Sequence, residues 1–381
     1  MDGRLFVVGC LGDNAPIPSG VDFVAAFPSV LERIPFSGEK VELKLPLDSA
    51  LSRIGELLER GSVAVVLSGD PLFFGMGERI KRRFPQAEVL PSVSYMQVAF
   101  SRMGRSWQDV SFFSAHGRSL EGILRELALS KGGLFVFTDQ ENTPAAVASF
   151  LLDAGVDVKS FWVFERLCFP DERVRCIPPE EAAHTEYLYP NCVFLEVPPR
   201  EREDVWRDEA FLSERGTLTK GWLRGILSSF FTNGRVFWDL GAGTGAVSIS
   251  LWKRYERLFA VEMREDRFGL LLENRRRFGA WNVIPVLARA QDAIRGLPDP
   301  DGVFLGVGRS GFTELFFPCY ERLRPGGVLA ATFVTAEGVA MALETAGKVG
   351  ARVVEFVRYD YSSGIAKARA PVWVLVVERS S

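Results

Sequence analysis

The chain contains the sequence Val236-Phe-Trp-Asp-Leu-Gly-Ala-Gly-Thr-Gly-Ala-Val-Ser-Ile-Ser-Leu251, in which an apolar run passes through three glycines into a second patterned run. The apolar and aromatic start predicts a buried strand, and the amphipathic run from Ala246 predicts a helix. The glycines lack a Cβ and allow the backbone to approach a ligand closely, while the helix start offers free N–H groups to a polar or anionic group. Strand, glycine turn and helix together predict the first half of a nucleotide-binding α/β unit.

Two carboxylates accompany this glycine turn. Asp239 comes two residues before Gly241, and Glu262 ends a second predicted strand 21 positions after that glycine, where such folds place the acid that binds a ribose. The glycine spacing is G-x-G-x-G, whereas dinucleotide sites prefer G-x-G-x-x-G. With both acids, the pattern resembles that of Rossmann-like S-adenosylmethionine-dependent methyltransferases. Their cofactor carries a sulfonium cation, which nearby carboxylates would stabilise. A plain dinucleotide site and a purely structural glycine turn are the alternatives on these residues alone.

Length and composition limit the class of protein. A chain of 381 residues suits two or three domains, and 47% hydrophobic with 24% charged residues predicts packed globular domains. The net charge of −3 argues against a nucleic-acid partner bound by bulk charge. With five scattered cysteines, no C-x-x-C and two histidines, we expect no metal site. No apolar run is long enough for a bilayer and the start shows no signal-peptide pattern, so we expect a cytoplasmic protein with no membrane partner.

Strand and helix patterns alternate on both sides of a charged, proline-bounded segment, Pro198–Asp204. We therefore predict an α/β domain at residues 1–198, with subdomains at about 1–105 and 106–198, then a linker at 199–216 and a second domain at 217–381. The strand count of the second domain suits a seven-stranded Rossmann-like sheet. Its last two strands, Val353–Tyr359 and Val372–Glu378, are predicted to form an antiparallel pair.

Some side chains are assigned on local pattern alone. Trp107, Trp162 and Trp238 are expected in the core, because large aromatic side chains contribute most when buried. The basic runs Lys81–Arg83 and Arg275–Arg277 fall on predicted helices and are expected on solvated faces.

The sequence Ser68-Gly-Asp-Pro-Leu-Phe-Phe-Gly75 forms a second strand-to-glycine junction, with a spacing unlike the first. Asp70 before a proline suits a structural turn as well as a cofactor loop. His116 follows another predicted strand end, where ligands gather in α/β sheets, and a hydrogen-bonded structural histidine is the alternative. Lys220 and Arg309 suit either clamps for substrate carboxylates or solvated surface charges.

The junction Ser68–Gly75 resembles the central signature of the tetrapyrrole (corrin/porphyrin) methylases. Further first-half motifs are similar to the branch of that family acting on precorrin-6Y, namely Phe100-Ser-Arg-Met-Gly104, Trp107, His116-Gly-Arg118, Glu141-Asn-Thr-Pro-Ala145 and Glu165-Arg166. Second-half motifs resemble the decarboxylating precorrin methyltransferases, namely Leu218-Thr-Lys220, Asp239–Gly245 and Arg276-Arg-Phe-Gly279. Their order along the chain resembles the fused precorrin methyltransferases of cobalamin (vitamin B12) biosynthesis. The chain departs from the family pattern in three places, namely a proline-bearing loop after Gly12, the turn Gly306-Val-Gly-Arg-Ser-Gly311, and Trp222.

This resemblance implies a tetrapyrrole-methylase fold of two α/β subdomains followed by a seven-stranded class I methyltransferase fold. It implies methylation of a precorrin-6Y-type substrate, with or without cobalt, at carbons 5 and 15, with loss of CO2 from the ring C acetate to give precorrin-8. It also implies one S-adenosylmethionine site per half and a homo-oligomer. The implied cofactor-binding residues are Gly9, Ser68, Gly69, Asp70, Pro71, Phe74, Gly75, Thr138, Thr219, Asp239, Gly241, Ala242, Gly243, Thr244, Gly245, Glu262 and Ala290. The implied substrate-positioning residues are His116, Lys220 and Arg309.

Three other classes of function stay open from the sequence. An RNA or small-molecule class I methyltransferase would share the second-half fold, but enzymes that modify base amines often carry Asn-Pro-Pro-aromatic where this chain has Gly306–Gly311. A Rossmann-type NAD-dependent oxidoreductase would prefer the other glycine spacing and would leave Ser68–Gly75 unexplained. A catalytically silent binding module is the third alternative.

Overall fold

The structure is a computed structural model that describes residues 3–201, 203–214, 218–360 and 371–380. The chain forms two compact units. Unit 1 contains the residues up to Ser119 together with Gly132–Leu152 and Val158–Glu196, and unit 2 contains Leu120–Lys131, Asp153–Asp157 and the residues from Val197 onward. The domain limits expected from the sequence, at residues 198 and 217, stay a prediction.

The first sheet consists of five parallel strands in the order β3-β2-β4-β1-β5. The strands are β1 Leu5–Cys10, β2 Phe23–Ala26, β3 Glu39–Glu42, β4 Val63–Ser68 and β5 Glu88–Leu90. Both faces of a parallel sheet are covered, so its central strands are rich in apolar residues, and Val7, Val8 and Val65 are fully buried. The helices that follow these strands are α1 Pro28–Leu31, α2 Leu47–Leu58, α3 Gly77–Arg83 and α4 Tyr95–Met103.

The second sheet is mixed and has the order β6-β7-β10-β8-β9, in which β6 pairs with β7 in parallel and the other neighbouring strands pair antiparallel. The strands are β6 Ser111–Ser114, β7 Leu134–Phe137, β8 Ser160–Glu165, β9 Arg173–Cys176 and β10 Asn191–Glu196. The helices in this stretch of the chain are α5 Gly122–Leu129, which belongs to unit 2, α6 Pro144–Asp153 and α7 Pro179–Ala182. Buried phenylalanines, among them Phe135, Phe164 and Phe194, form its core. The two sheets confirm the prediction of two α/β subdomains in the first half.

The second half contains a seven-stranded sheet in the order β13-β12-β11-β14-β15-β17-β16. Its strands are β11 Gly234–Leu240, β12 Tyr255–Glu262, β13 Val283–Leu287, β14 Gly302–Leu305, β15 Val328–Phe333, β16 Arg352–Tyr359 and β17 Val372–Glu378. Its helices are α8 Gly221–Phe230, α9 Ala246–Leu251, α10 Glu265–Phe278, α11 Ala290–Ala293, α12 Arg309–Arg322 and α13 Ala336–Lys348. Strands β11 to β15 are parallel, and β17 runs antiparallel to both of its neighbours. This order is that of class I methyltransferases, so the predicted fold and its antiparallel strand pair are confirmed.

The structure corrects two of the side-chain assignments. Trp238 lies in the core as expected, and its indole N–H donates to the Pro298 carbonyl at 3.1 Å. Trp107, also expected in the core, is 40% exposed in the loop after α4. Arg275, expected on a solvated face, is buried, because it follows Leu271 by four residues and shares the inward face of α10. Its guanidinium donates to the Trp281 carbonyl at 3.0 Å.

Over the described residues, no helix combines the length and the apolar composition needed to cross a membrane.

Candidate functional site

The first glycine turn follows the carboxyl end of β4. Gly69 has a left-handed φ of +70° and donates its N–H to the Cys10 carbonyl at 2.6 Å, which ties the turn to β1. One oxygen of Asp70 accepts from the Leu72 N–H at 2.8 Å. A Cβ at Gly75 would lie 2.5 Å from the Pro71 carbonyl oxygen. The turn therefore closes on its own backbone, and a side chain at Gly75 would force it open.

A cleft of about 180 Å³ opens beside this turn. Seven of the nine site residues predicted in the first half line it, namely Ser68, Gly69, Asp70, Phe74, Gly75, His116 and Thr138. The other two lie behind the turn, where a Cβ on Gly9 would meet the Gly69 carbonyl at 2.7 Å and the Pro71 ring at 2.9 Å. Gly9 and Pro71 therefore support the shape of the turn, and the prediction that they bind a cofactor stays a prediction.

Several cleft residues were not found by sequence reasoning, among them Ser94, Ser114, Tyr189 and Asn191. Ser94 begins α4 with a capping box closed by Gln97, a signal that the spacing S-x-x-Q contains. Asn191 has no such signal, because it reaches the cleft only through the antiparallel pairing of β10 with β7. There it accepts the hydroxyl proton of the predicted Thr138 at 2.6 Å through its carbonyl.

Backbone strain is concentrated at the same cleft. Over the described part of the chain, the non-glycine residues with a left-handed φ are Phe74 at 54°, Arg166 at 47° and Cys168 at 65°. Phe74 and Leu167, which lies between the other two, both line the cleft. Such conformations cost free energy and cluster at functional sites. Phe74 is 46% exposed, and Phe73 and Phe137 brace its ring with centroid separations of 5.0 and 5.7 Å.

His116 lies at the cleft wall just beyond the carboxyl end of β6. Its Nδ1 lies 3.2 Å from the Ser114 hydroxyl oxygen. Partial removal from water lowers the pKa of His116; the Asp139 carboxylate opposes this change and Arg118 adds to it. The same carboxylate accepts the Gly117 N–H at 3.0 Å, which fixes the turn after the histidine.

The second glycine turn follows β11 in unit 2. Gly241, Gly243 and Gly245 have left-handed φ values of +82°, +57° and +77°, so a side chain at any of them would be strained. A Cβ at Gly241 would also lie 2.9 Å from the Gly306 carbonyl oxygen. Glu262, at the end of β12, accepts the Gly243 N–H at 2.9 Å and so holds the middle of the turn.

Both predicted carboxylates of this turn are buried. One Asp239 oxygen accepts from the backbone N–H and the hydroxyl of Ser248, at 3.1 and 2.7 Å. Its other oxygen and the Thr244 hydroxyl oxygen are buried without a hydrogen-bond partner. Burial raises the pKa of Asp239 to about 6; the bonds from Ser248 oppose this rise and the nearby charge of Glu262 adds to it. Unpaired oxygens and two buried acids suit a ligand that brings donors and positive charge, which fits S-adenosylmethionine.

The other predicted residues of the second half lie outside this turn, except Ala242, which belongs to it. Ala290 begins α11 after β13, and Arg309 begins α12 after β14 with its side chain exposed, so both follow the same edge of the sheet. Lys220 precedes α8 and pairs with Asp208 at 3.3 Å, and Thr219 accepts the Arg224 guanidinium through its carbonyl. The structure thus brings the glycine turn together with Asp239 and Glu262, whereas Thr219 and Lys220 lie with Asp208.

Arg224 is a buried arginine that sequence reasoning missed. Its guanidinium is 1% exposed and donates to Asp208 at 3.0 Å, to the Val205 carbonyl at 3.0 Å and to the Ser250 hydroxyl at 3.1 Å. A single arginine in an amphipathic helix carries no pattern that separates a buried from a solvated position.

Within the described ranges, no group of three or more histidine, cysteine, aspartate or glutamate side chains is arranged to hold a metal ion.

The seven-stranded sheet in the class I methyltransferase order, with a glycine turn at the end of a buried strand, defines a methyltransferase. Residues 20–183 match the family of tetrapyrrole (corrin/porphyrin) methylases, and residues 209–370 match the precorrin methyltransferase domain. These methyltransferase families imply S-adenosylmethionine as cofactor, and a tetrapyrrole substrate is consistent with them.

Curated relatives support the same assignment. The precorrin-6Y C(5,15)-methyltransferase [decarboxylating] of Sinorhizobium sp is 30% identical over 336 residues, which are 84% of this chain and 79% of that protein. The cobalt-precorrin-7 C(5)-methyltransferase of Salmonella typhimurium is 28% identical over 47% of this chain and 85% of its own length. The cobalt-precorrin-6B C(15)-methyltransferase (decarboxylating) of the same organism is 33% identical over 41% of this chain and 83% of its own length. The chain belongs to the family of decarboxylating precorrin-6Y C(5,15)-methyltransferases, which are C-methyltransferases of cobalamin biosynthesis, and this membership decides against the oxidoreductase and RNA-methyltransferase alternatives.

Proposed function

We propose that the chain methylates precorrin-6Y, or its cobalt-containing counterpart, at carbons 5 and 15 and removes CO2 from the acetate side chain on ring C to give precorrin-8. The first half methylates carbon 5, and the second half methylates carbon 15 and decarboxylates. The observation that carries this division is the presence of two unlike glycine turns, each at the end of a buried parallel strand of its own sheet. The two single-activity relatives, each of which aligns with less than half of the chain, support it.

Each half binds one S-adenosylmethionine in this proposal. In the first half the cofactor lies against the turn Ser68–Gly75, with Thr138 at the cleft wall. In the second half it lies against Gly241–Gly245, with Ala290 beside it and Glu262 at the end of the neighbouring strand. Bound cofactor supplies an electrophilic methyl group on a sulfonium sulfur.

The chain contributes mainly position and electrostatics to these reactions. Methyl transfer from a sulfonium is an in-line displacement, so holding a ring carbon against the methyl group provides most of the acceleration. The buried carboxylates of Asp239 and Glu262 favour positive charge next to the second turn. The substrate's own conjugated ring accepts the electron pair released when the acetate loses CO2.

Basic side chains position the polycarboxylate substrate in the second half. Lys220 and Arg309 bind its carboxylates, and the Asp208 carboxylate 3.3 Å from the Lys220 ammonium group holds that lysine in place. In this proposal the enzyme is a homo-oligomer that binds neither nucleic acid nor a membrane. The net charge of −3 supports the absence of a nucleic-acid partner.

The test is turnover of precorrin-6Y followed by mass spectrometry. The expected product has gained two methyl groups and lost one CO2, and a product with neither change would overturn the proposal. Titration calorimetry with S-adenosylhomocysteine measures the number of sites independently. We expect a stoichiometry near two per chain, and a value of one in fully active protein would contradict one site per half.

A further inference from the structure

We propose that His116 accepts the proton released by first-half methylation and that Ser114 positions its ring for this task. The proposal rests on the proposed function, because it assumes that the first cleft binds both the tetrapyrrole and the methyl donor. Both residues line that cleft. Strand β6 places them side by side, because Ser114 is its last residue and His116 follows two positions later. Ser114 pairs in parallel register with Phe137 at the end of β7.

The contacts of the histidine ring leave one nitrogen for a ligand. The buried Ser114 hydroxyl lies 3.2 Å from Nδ1. This contact engages Nδ1 and not Nε2. When Nδ1–H donates to the serine oxygen, Nε2 carries the lone pair of the neutral ring. The serine hydroxyl can donate as well as accept, and the proposal takes the tautomer in which it accepts from Nδ1–H. Ser114 then holds the ring with Nε2 free to act as a base, as an orienting partner does for other catalytic histidines.

The adjacent acid fixes the backbone and leaves the ring free. Asp139 accepts the Gly117 N–H with one oxygen, at 3.0 Å. Its other oxygen accepts the N–H groups of Glu141 and Asn142, at 2.9 and 2.6 Å. Asn142 in turn donates to the Ala115 carbonyl at 2.8 Å. The residues on both sides of His116 are therefore held by hydrogen bonds, which places the ring without occupying Nε2.

The reaction requires a proton acceptor. Two π electrons of the ring carbon form the new bond to the methyl group, while the electron pair of the broken sulfur–methyl bond stays on sulfur. The macrocycle is left with one additional positive charge, and it regains its conjugation when it loses a proton. In this inference that proton moves to Nε2 of His116 and from there to solvent, which the exposed position of the residue permits. No oxidant or reductant takes part.

The charge state of the ring suits a base at neutral pH. Partial removal from water lowers the pKa of His116, Arg118 acts in the same direction, and Asp139 opposes them. The other titratable side chains that line the cleft are Asp70, Tyr95, Tyr189 and Cys192. Burial raises the pKa of the Tyr189 hydroxyl and of the Cys192 thiol, so neither loses its proton near neutral pH. We therefore expect the first-half rate to fall toward acid as His116 takes up a proton.

His116→Gln, made in the full chain and assayed with precorrin-6Y, is the first experiment. General bases contribute roughly 10²–10⁴-fold, so we expect first-half methylation to slow at least about 10²-fold while CO2 release by the second half continues. The matched control is His184→Gln, which changes the only other histidine of the chain. His184 lies outside the residues that line the cleft, and its replacement should leave both activities at the wild-type rate.

Chemical rescue and the serine variants separate base catalysis from a structural role. Added imidazole should restore methylation by His116→Ala in proportion to the concentration of its neutral form. Ser114→Ala should lower kcat with little change in KM, and Ser114→Thr, which keeps a hydroxyl, should recover most of the loss. The wild type should show an acid limb in its pH–rate profile that His116→Gln lacks.

The inference is overturned if His116→Gln methylates at the wild-type rate. It is also overturned if His116→Ala binds two cofactors per chain but imidazole does not restore its activity. If a His116 variant no longer binds cofactor in the first half, the pH–rate profile of the wild type is the test. A wild-type rate that does not fall toward acid would show that His116 is not the base. Wild-type protein that binds two cofactors but transfers no methyl group to precorrin-6Y would instead refute the proposed function itself.

Discussion

The turn after β4 and the turn after β11 both follow buried parallel strands, but different groups hold their backbones. Around the first turn, backbone carbonyls and a proline restrain the glycines, and a phenylalanine, Phe74, takes a left-handed φ. In the second turn, three glycines take the left-handed values and the buried carboxylate of Glu262 anchors the middle one. One chain thus shapes a turn for the same proposed cofactor in two chemically different ways.

The difference extends to the electrostatics of the two sites. The first cleft is lined by hydroxyl groups and aromatic rings, and its acid, Asp70, is partly exposed. The second turn packs against Asp239 and Glu262, which are 1% and 5% exposed. Buried carboxylates stabilise a cation strongly, but they cost stability while the site is empty. We infer that the second site gains charge complementarity at the expense of the unliganded fold, and that the first does not.

The largest effect is expected from Gly243→Val. A β-branched residue at a φ of +57° strains the turn and would displace the N–H that Glu262 accepts. Strain and lost positioning together should slow CO2 release by more than about 10³-fold, as measured with precorrin-6Y. Gly326→Val is the matched control, because its φ is +75° but a Cβ there meets nothing within 4 Å. CO2 release at the wild-type rate in Gly243→Val would show that the chemistry of the second half lies elsewhere.

Gly75→Val tests the first turn in the same way. Its Cβ would lie 2.5 Å from the Pro71 carbonyl oxygen, so the loop must open. We expect one methylation to be lost, CO2 release to persist, and the calorimetric stoichiometry to fall from two to one. Gly55→Val, where the nearest atom is 3.9 Å away, controls for adding the side chain in unit 1. Loss of both activities in Gly75→Val would mean that the two sites do not work separately.

Asp239→Asn tests the cost of the buried acid. The pKa of Asp239 is raised from 3.8 to about 6 in the folded chain. Folding therefore favours the protonated form, and stability is lost as pH rises from the unfolded value through about 6. Removing the charge should stabilise the unliganded protein by up to about 3 kcal/mol above pH 7 and by roughly half of that at pH 5. Urea unfolding at pH 5 and pH 8 measures this, and a gain that does not grow with pH would contradict it.

Glu262→Ala should have the smallest of these effects. We expect the second site to bind S-adenosylhomocysteine about 1–3 kcal/mol more weakly, the range for losing hydrogen bonds to a charged group. Calorimetry in the Gly75→Val background isolates that site. Glu265→Ala, which removes an exposed acid from the first turn of α10, is the control. Equal affinity in Glu262→Ala and Glu265→Ala would show that Glu262 only holds the backbone.

The sequence predicts the parts of this molecule that depend on local pattern. The spacing of the second turn and its two acids predicts the seven-stranded sheet, because strand ends and glycines are local signals. The burial of Asp239 and Glu262 is seen only in the structure. The inward position of Arg275 was missed because charge was weighed above helical spacing. Trp107 was placed in the core on its residue type, although it lies in a loop after α4.

The cleft of the first half depends on pairing between distant strands, which no local pattern contains. Asn191 and Ser114 face the same cleft because β10 pairs with β7 and β7 with β6. Their separation of 77 positions in the chain gives no reason to associate them. The predicted roles of the individual site residues stay predictions until binding is measured.

The buried Arg224 also determines where the two halves can be cut apart. Its partners Val205 and Asp208 lie within the segment predicted as a linker. A second half that begins at residue 217 would keep the guanidinium in its buried position but lose the carboxylate that neutralises it, at a cost of about 3–5 kcal/mol. That is a large share of the 5–15 kcal/mol that typically holds a domain folded. A gene split that preserves the second half should therefore fall upstream of Val205, so that the connecting segment remains with the domain it helps to fold.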